Sequence, residues 1–234
     1  MKLNIRKLLE YFDIKESTDY GDATAVISVV GEDLGSALFK HYRENENKSE
    51  VKIIDPNEEI PTEGKKIGRR LDRWIIEKSK NKQILYQTEI KSWCSRAIGG
   101  ISIPIKISDG DFLEKVKYNW NRDIKNWIDI EVNGLNKVLL EMPTDKKLER
   151  LGIKNPYDKK PLLIFWDARS PSGRSDCFSQ YSVETKYHYY DYCLVFSCSL
   201  YLRFLYGKGE TEIFVEMPNA ERRIEDLNHL FVAK

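Results

Sequence analysis

Two apolar-rich runs, residues 70–77 and 83–93, flank the polar stretch Lys78-Ser79-Lys80-Asn81-Lys82, and no other feature of the chain constrains its fold as tightly. β-Branched and aromatic residues on both sides of a short polar link predict an antiparallel hairpin, and a hairpin has a computable register. A turn centred between Lys80 and Asn81 sets residues opposite one another when their numbers sum to 161, which places Asp72 against Glu89. Side chains alternate between the faces of a strand, so Lys91 shares a face with Glu89, beside the Asp72 end of the partner strand. Two directly opposed carboxylates destabilise a sheet, and one lysine nearby offsets this only in part. Such a site wants a cation.

Charge then limits the partners. The 234 residues carry 38 Lys and Arg against 37 Asp and Glu, a formal charge of +1, which excludes a polyelectrolyte-binding composition. Any nucleic-acid site must be local. Lys65, Lys66, Arg69, Arg70 and Arg73 crowd around Asp72, a cationic strip of the kind a phosphate backbone needs, although a solvated loop has the same composition. Ser92, Ser95 and Arg96 follow Lys91 closely and form a second candidate phosphate contact. Tyr181, Tyr187, Tyr189, Tyr190 and Tyr192 form an aromatic group that could stack bases; strand and core edge is the plainer reading.

Hydrophobic content of 41% lies well outside the disordered regime. No stretch approaches the roughly 20 apolar residues of a membrane span, and the amino terminus meets charges before any signal-like run develops, so a cytoplasmic chain with no membrane partner is expected. Cys94, Cys177, Cys193 and Cys198 contain no CxxC pair and read as reduced, buried thiols. His41, His188 and His229 are too dispersed for a zinc signature, and neither a P-loop nor GxGxxG is present.

Along the chain, Leu3, Leu8, Leu9 and Phe12 recur at helical spacing. Residues 23–30 are apolar and β-branched; Gly31 then introduces a helical stripe of Leu34, Ala37, Leu38 and Tyr42, which sets Glu32 at or just before a first helical turn. The charged residues 44–50 break that pattern, and Val51 to Ile54 form a short strand closed by Asp55-Pro56. Alternating Ile101, Ile103, Ile105 and Ile107 predict a further strand, and Phe112, Val116, Trp120, Ile124 and Trp127 a helix over 111–130. A second helix is expected over 135–141, a buried strand over 162–166, a late hairpin over 193–206 and 210–217, and a closing helix over 219–231 capped by Asn219. The expected fold is a single α/β domain over residues 1–234, a mixed central sheet flanked by helices. Its core lies at about 30–110, and residues from about 111 to 234 form a C-terminal α+β elaboration.

Asp72, sixteen intervening residues, and then Glu89-Ile90-Lys91 resemble the D-x(n)-E-x-K pattern of the PD-(D/E)xK nuclease superfamily, the restriction-endonuclease-like fold. Glu32 sits where many members carry an acidic residue on the helix before the catalytic hairpin. The resemblance covers about residues 30 to 110 and implies that Asp72 and Glu89 bind Mg²⁺, which Mn²⁺ can replace, while Lys91 assists an attacking water. Leu71 stands where the name of the motif has proline, as in many members. The chemistry suits the residues, because a hard divalent ion needs only one or two carboxylates and keeps waters for substrate. The expected function is metal-dependent hydrolysis of phosphodiester bonds in DNA, in restriction, phage defence or DNA processing, by a homodimer or a larger complex. The alternative is an inactive nucleic-acid-binding or scaffolding subunit of the same fold. Plainer readings stand beside each residue: an exposed ion pair for Glu89 and Lys91, pairing with Arg70 or Arg73 for Asp72, with Asp55 as rival ligand, and a first-turn acid for Glu32.

Overall fold

A computed structural model describes residues 1–13, 20–54, 71–80, 82–91, 103–124, 137–140, 145–150, 153, 157–183 and 189–230. The first helix, α1 (Ile5–Asp13), follows a three-residue strand, β1 (Lys2–Asn4), which pairs antiparallel with β8 (Glu212–Phe214). Helix α2 (Tyr20–Asn47) is continuous for 28 residues. The β-branched run therefore lies inside it, and Glu32 is a mid-helix residue rather than a first-turn one. β-Branching lowers helix propensity only slightly, and tertiary packing outweighs it: Leu34, Ala37, Leu38 and Phe39 are buried against the sheet. At Gly35 the helix approaches so closely that a Cβ would meet Ile90 Cγ2 at 3.0 Å and Ile164 Cγ2 at 3.3 Å. Lys48, at φ 50°, then turns the chain into β2 (Glu50–Ile54).

The predicted hairpin is present as β3 (Arg73–Ser79) and β4 (Lys82–Lys91). Its pairs run from Ser79 opposite Lys82 to Arg73 opposite Thr88, each summing to 161, the value read from the sequence. A six-stranded mixed sheet grows around it in the order β2-β3-β4-β5-β7-β6, where β5 is Asp158–Phe165, β6 is Phe178–Ser182 and β7 is Tyr192–Ser197. The first three strands are antiparallel; β4, β5 and β7 are parallel, and β6 returns antiparallel at the edge. Leu162 to Phe165 and Cys193 to Phe196 are buried on both faces, as central parallel strands require.

Helix α2 and a later helix, α6 (Cys198–Gly207), cover one face through Leu38, Phe39, Tyr201 and Leu202, packed on Ile75, Tyr86, Ile164 and Phe196. On the other face, α4 (Lys137–Leu140) and α5 (Asp145–Arg150) bring Val138, Leu139 and Leu148 to Trp74, Ile76, Leu85 and Leu163. Trp120 joins them from a π-helical turn, Trp120–Ile124, that continues α3 (Asp109–Asn119). Three of the six strands thus come from the second half of the chain, so the sheet is not confined to residues before 110.

Among the described residues, 103–107 form no strand, and the strand expected over 193–206 ends at Ser197 as β7. Ile103 and Pro104 offer their carbonyls to the Arg203 guanidinium instead of a neighbouring strand. Residues 198–207 form α6, not one arm of a hairpin: Ser197 Oγ accepts from Leu200 N–H as an N-cap, and a run apolar on every side belongs to a helix buried by its neighbours. The closing helix, α7 (Pro218–Leu230), starts at a proline, and its Ala220 N–H is taken by the distant Asp33 Oδ2 at 2.7 Å. Cys177, Cys193 and Cys198 are free thiols; Cys94 lies outside the described residues. Among the described residues no helix is long and apolar enough to cross a membrane.

Candidate active site at the end of the central hairpin

Asp72 stands one residue before β3, where the common register sets it against Glu89. Its N–H donates to Thr88 O at 3.1 Å, and its Oδ2 accepts the Ile90 N–H at 2.7 Å. The side chain therefore continues the ladder past the last backbone pair and holds a carboxylate at the peptide between Glu89 and Lys91. Glu89 is fully buried, and Lys91 Nζ donates to its Oε1 at 2.5 Å. Both point to the α4 side of the sheet, because Gln87, two positions before Glu89, donates its Nε2 to Val138 O.

Lys91 is the last residue of β4, and its carbonyl accepts Trp166 N–H at 3.2 Å, which aligns the carboxyl ends of β4 and β5. Beyond them Asp167 and Arg169 are buried and paired at 2.8 Å, with Arg169 Nη1 donating to Asn119 O at 2.6 Å. Ser197 Oγ, at the end of β7, donates to Asp167 O at 2.6 Å. Three parallel strands therefore end together beside the acidic pair, and the carboxyl ends of parallel strands are where open α/β sheets place ligands.

The other nominated residues fare differently. Arg73 is only 3% exposed, so its place in an exposed phosphate-binding strip is corrected: Nη1 donates to Glu32 Oε2 at 2.8 Å and Nη2 to Asp33 Oδ1 at 2.7 Å. Strand alternation turns Arg73 to the α2 face, and Glu32, half-exposed, meets it there rather than joining Asp72 and Glu89. Lys65, Lys66, Arg69, Arg70, Ser92, Ser95, Arg96 and the rival Asp55 lie outside the described residues. In the tyrosine group, Tyr190 is buried in the core and Tyr189 is exposed; Tyr187 is not described.

Sequence reasoning missed Asp33, Asp167 and Arg169. Asp33 lies four residues before Ala37 on the buried helical stripe, a spacing that marks it, and not Glu32, as the inward acid. An Asp-x-Arg immediately past a buried apolar strand was the signal for the other two. Among the described residues no three His, Cys, Asp or Glu side chains converge. Asp72 and Glu89 supply two hard oxygen donors, which suits an ion such as Mg²⁺ that binds through one or two carboxylates and retains water. No family model, curated protein or solved structure matches this chain.

Proposed function

We propose that the chain is a metal-dependent nuclease of the PD-(D/E)xK type, with the restriction-endonuclease-like fold, that hydrolyses phosphodiester bonds in DNA. One observation supports the reading: at the end of the central hairpin Asp72 Oδ2 accepts the Ile90 N–H, between Glu89 and Lys91, whose side chains are themselves hydrogen-bonded. The sheet order and the helix before the hairpin are compatible with that fold. Asp72 and Glu89 would hold Mg²⁺ or Mn²⁺, which when bound polarises a phosphoryl oxygen and lowers the pKa of a bound water. Glu89 orients Lys91 through their hydrogen bond, and the Lys91 ammonium is then placed to orient the attacking water and to stabilise developing negative charge. Substrate contacts fall to Lys65, Lys66, Arg69, Arg70, Ser92, Ser95 and Arg96. Replacing Lys65 and Lys66 together should flatten the slope of log affinity against log salt by about 1 to 2.

Incubation of the pure protein with supercoiled circular DNA tests the reading. Nicking or linearisation should require Mg²⁺ and disappear in Asp72→Asn. Cleavage that persists in that variant, or proceeds fully in EDTA, would refute it. A second reading, a nucleic-acid-binding or scaffolding subunit without turnover, is favoured by the Arg73–Glu32 pair. That pair withdraws one cation from the substrate side and one acid from the site.

A further inference from the structure

Arg73 follows Asp72 directly, yet its side chain runs to the opposite face of the sheet. There Nη1 donates to the Asp72 carbonyl at 2.6 Å and to Glu32 Oε2 at 2.8 Å, while Nη2 donates to Asp33 Oδ1 at 2.7 Å. Asp33 is fixed in turn, because its Oδ2 accepts the Ala220 N–H in the first turn of α7. A planar guanidinium presents its donors in a rigid fork, so these contacts set its orientation as well as its position. The anchor comes from two helices, and what it holds is the main chain that carries the Asp72 carboxylate.

We propose that Arg73 is a positioning residue for Asp72: it clamps the Asp72 peptide so that Oδ2 stays on the Ile90 N–H, between Glu89 and Lys91. Its effect on metal binding rests on the nuclease reading; its effect on the Asp72 peptide does not. Residues that orient a ligand from behind typically change metal affinity 10- to 100-fold when replaced.

The decisive variant is Arg73→Lys, which keeps the positive charge beside Asp33 but replaces the fork with one point donor. A cavity of about 70 Å³ lined by Asp33, Ser36 and Arg73 gives water room to solvate the ammonium. Amide hydrogen exchange without metal reads the peptide directly. Protection of the Ile90 amide should fall about tenfold in Arg73→Lys while amides in β5 keep wild-type protection, an asymmetry that general destabilisation does not produce. Calorimetric titration with Mn²⁺ should show affinity about tenfold weaker in the same variant. Glu32→Gln, at a half-exposed position, should move both readouts the same way by about threefold. Unchanged Ile90 protection in both variants overturns the clamp. A wild-type protein that binds no Mn²⁺, with Ile90 protection lost in Arg73→Lys, instead overturns the nuclease reading and leaves the clamp standing.

Discussion

Glu77 and Glu89 lie on adjacent strands of one hairpin, and both are almost wholly buried, at 3% and 0% exposure. Near the turn, Glu77 receives the Arg43 guanidinium in two-pronged fashion, at 2.9 and 3.0 Å, and the Tyr86 hydroxyl at 2.7 Å. Burial works against its charged form, but the Arg43 and Tyr86 hydrogen bonds outweigh that and hold the carboxyl below the usual carboxylate range. At the open end, Glu89 meets an ammonium on a flexible stem and has Asp72 set against it by the register. A rigid, bidentate partner fixes a charge in place; a lysine can swing away and leave the carboxylate to another cation. The turn end of the hairpin ties helix α2 to the sheet through Arg43, and the other end pairs Glu89 with the more adaptable Lys91.

Glu89→Gln should separate the two ends most sharply. Losing one of two carboxylates should abolish calorimetrically detected Mg²⁺ binding and lower cleavage by about 10³-fold, with a thermal midpoint at or above that of the wild type. At the turn end the cost should fall on stability alone. Arg43→Met strands a buried carboxylate and should cost about 3 kcal/mol, read as a lower denaturant midpoint, with Mg²⁺ affinity untouched. A loss of metal binding in Arg43→Met would mean that the two ends are not independent. Lys91→Ala should retain Mg²⁺ and DNA binding yet lose about 10²-fold in rate, and full activity would remove Lys91 from the chemistry. Tyr86→Phe deletes one hydrogen bond to a charged acceptor, so about 1.5 kcal/mol of stability should go.

The mildest test uses pH. Because the folded state lowers the Glu77 carboxyl pKa, its contribution is complete above the ordinary carboxylate value of 4.5 and is lost as pH falls through the lower folded value. Denaturant melts of wild type and Glu77→Gln should therefore converge as the pH is taken below about 4.

The hairpin was legible because strand alternation and a five-residue polar link fix a register from sequence alone. The short buried strand over 162–165 was legible for a related reason: a brief continuous apolar run directly after a proline leaves few alternatives. The start of α2 was not, since its β-branched stretch carries a local preference that packing overrides. Nor was α6, whose apolar residues surround the helix and so show no clear period. At the site, sequence placed Asp72, Glu89 and Lys91 in register, but it could not show that Arg73 turns inward. Strand parity gives the face of a side chain, and only the packed position of α2 reveals that two acids wait there. Asp167 and Arg169 escaped because their meaning depends on β4, β5 and β7 ending together, a relation among segments far apart in the chain.

The parallel pairing of β4 with β5 also shapes how the chain is made. Sixty-six residues, 92–157, separate the end of one strand from the start of its neighbour. At roughly 5–20 residues per second on the ribosome, the growing chain carries the meander of β2, β3 and β4 for about 3 to 13 s before β5 is synthesised. Throughout that interval the outer side of β4 is an open edge rich in Ile, Leu and Tyr, the kind of template on which another chain can add a strand. Its two ends carry Lys82 and Lys91, and charges at the ends of an apolar strand are the kind that disfavour pairing with another chain.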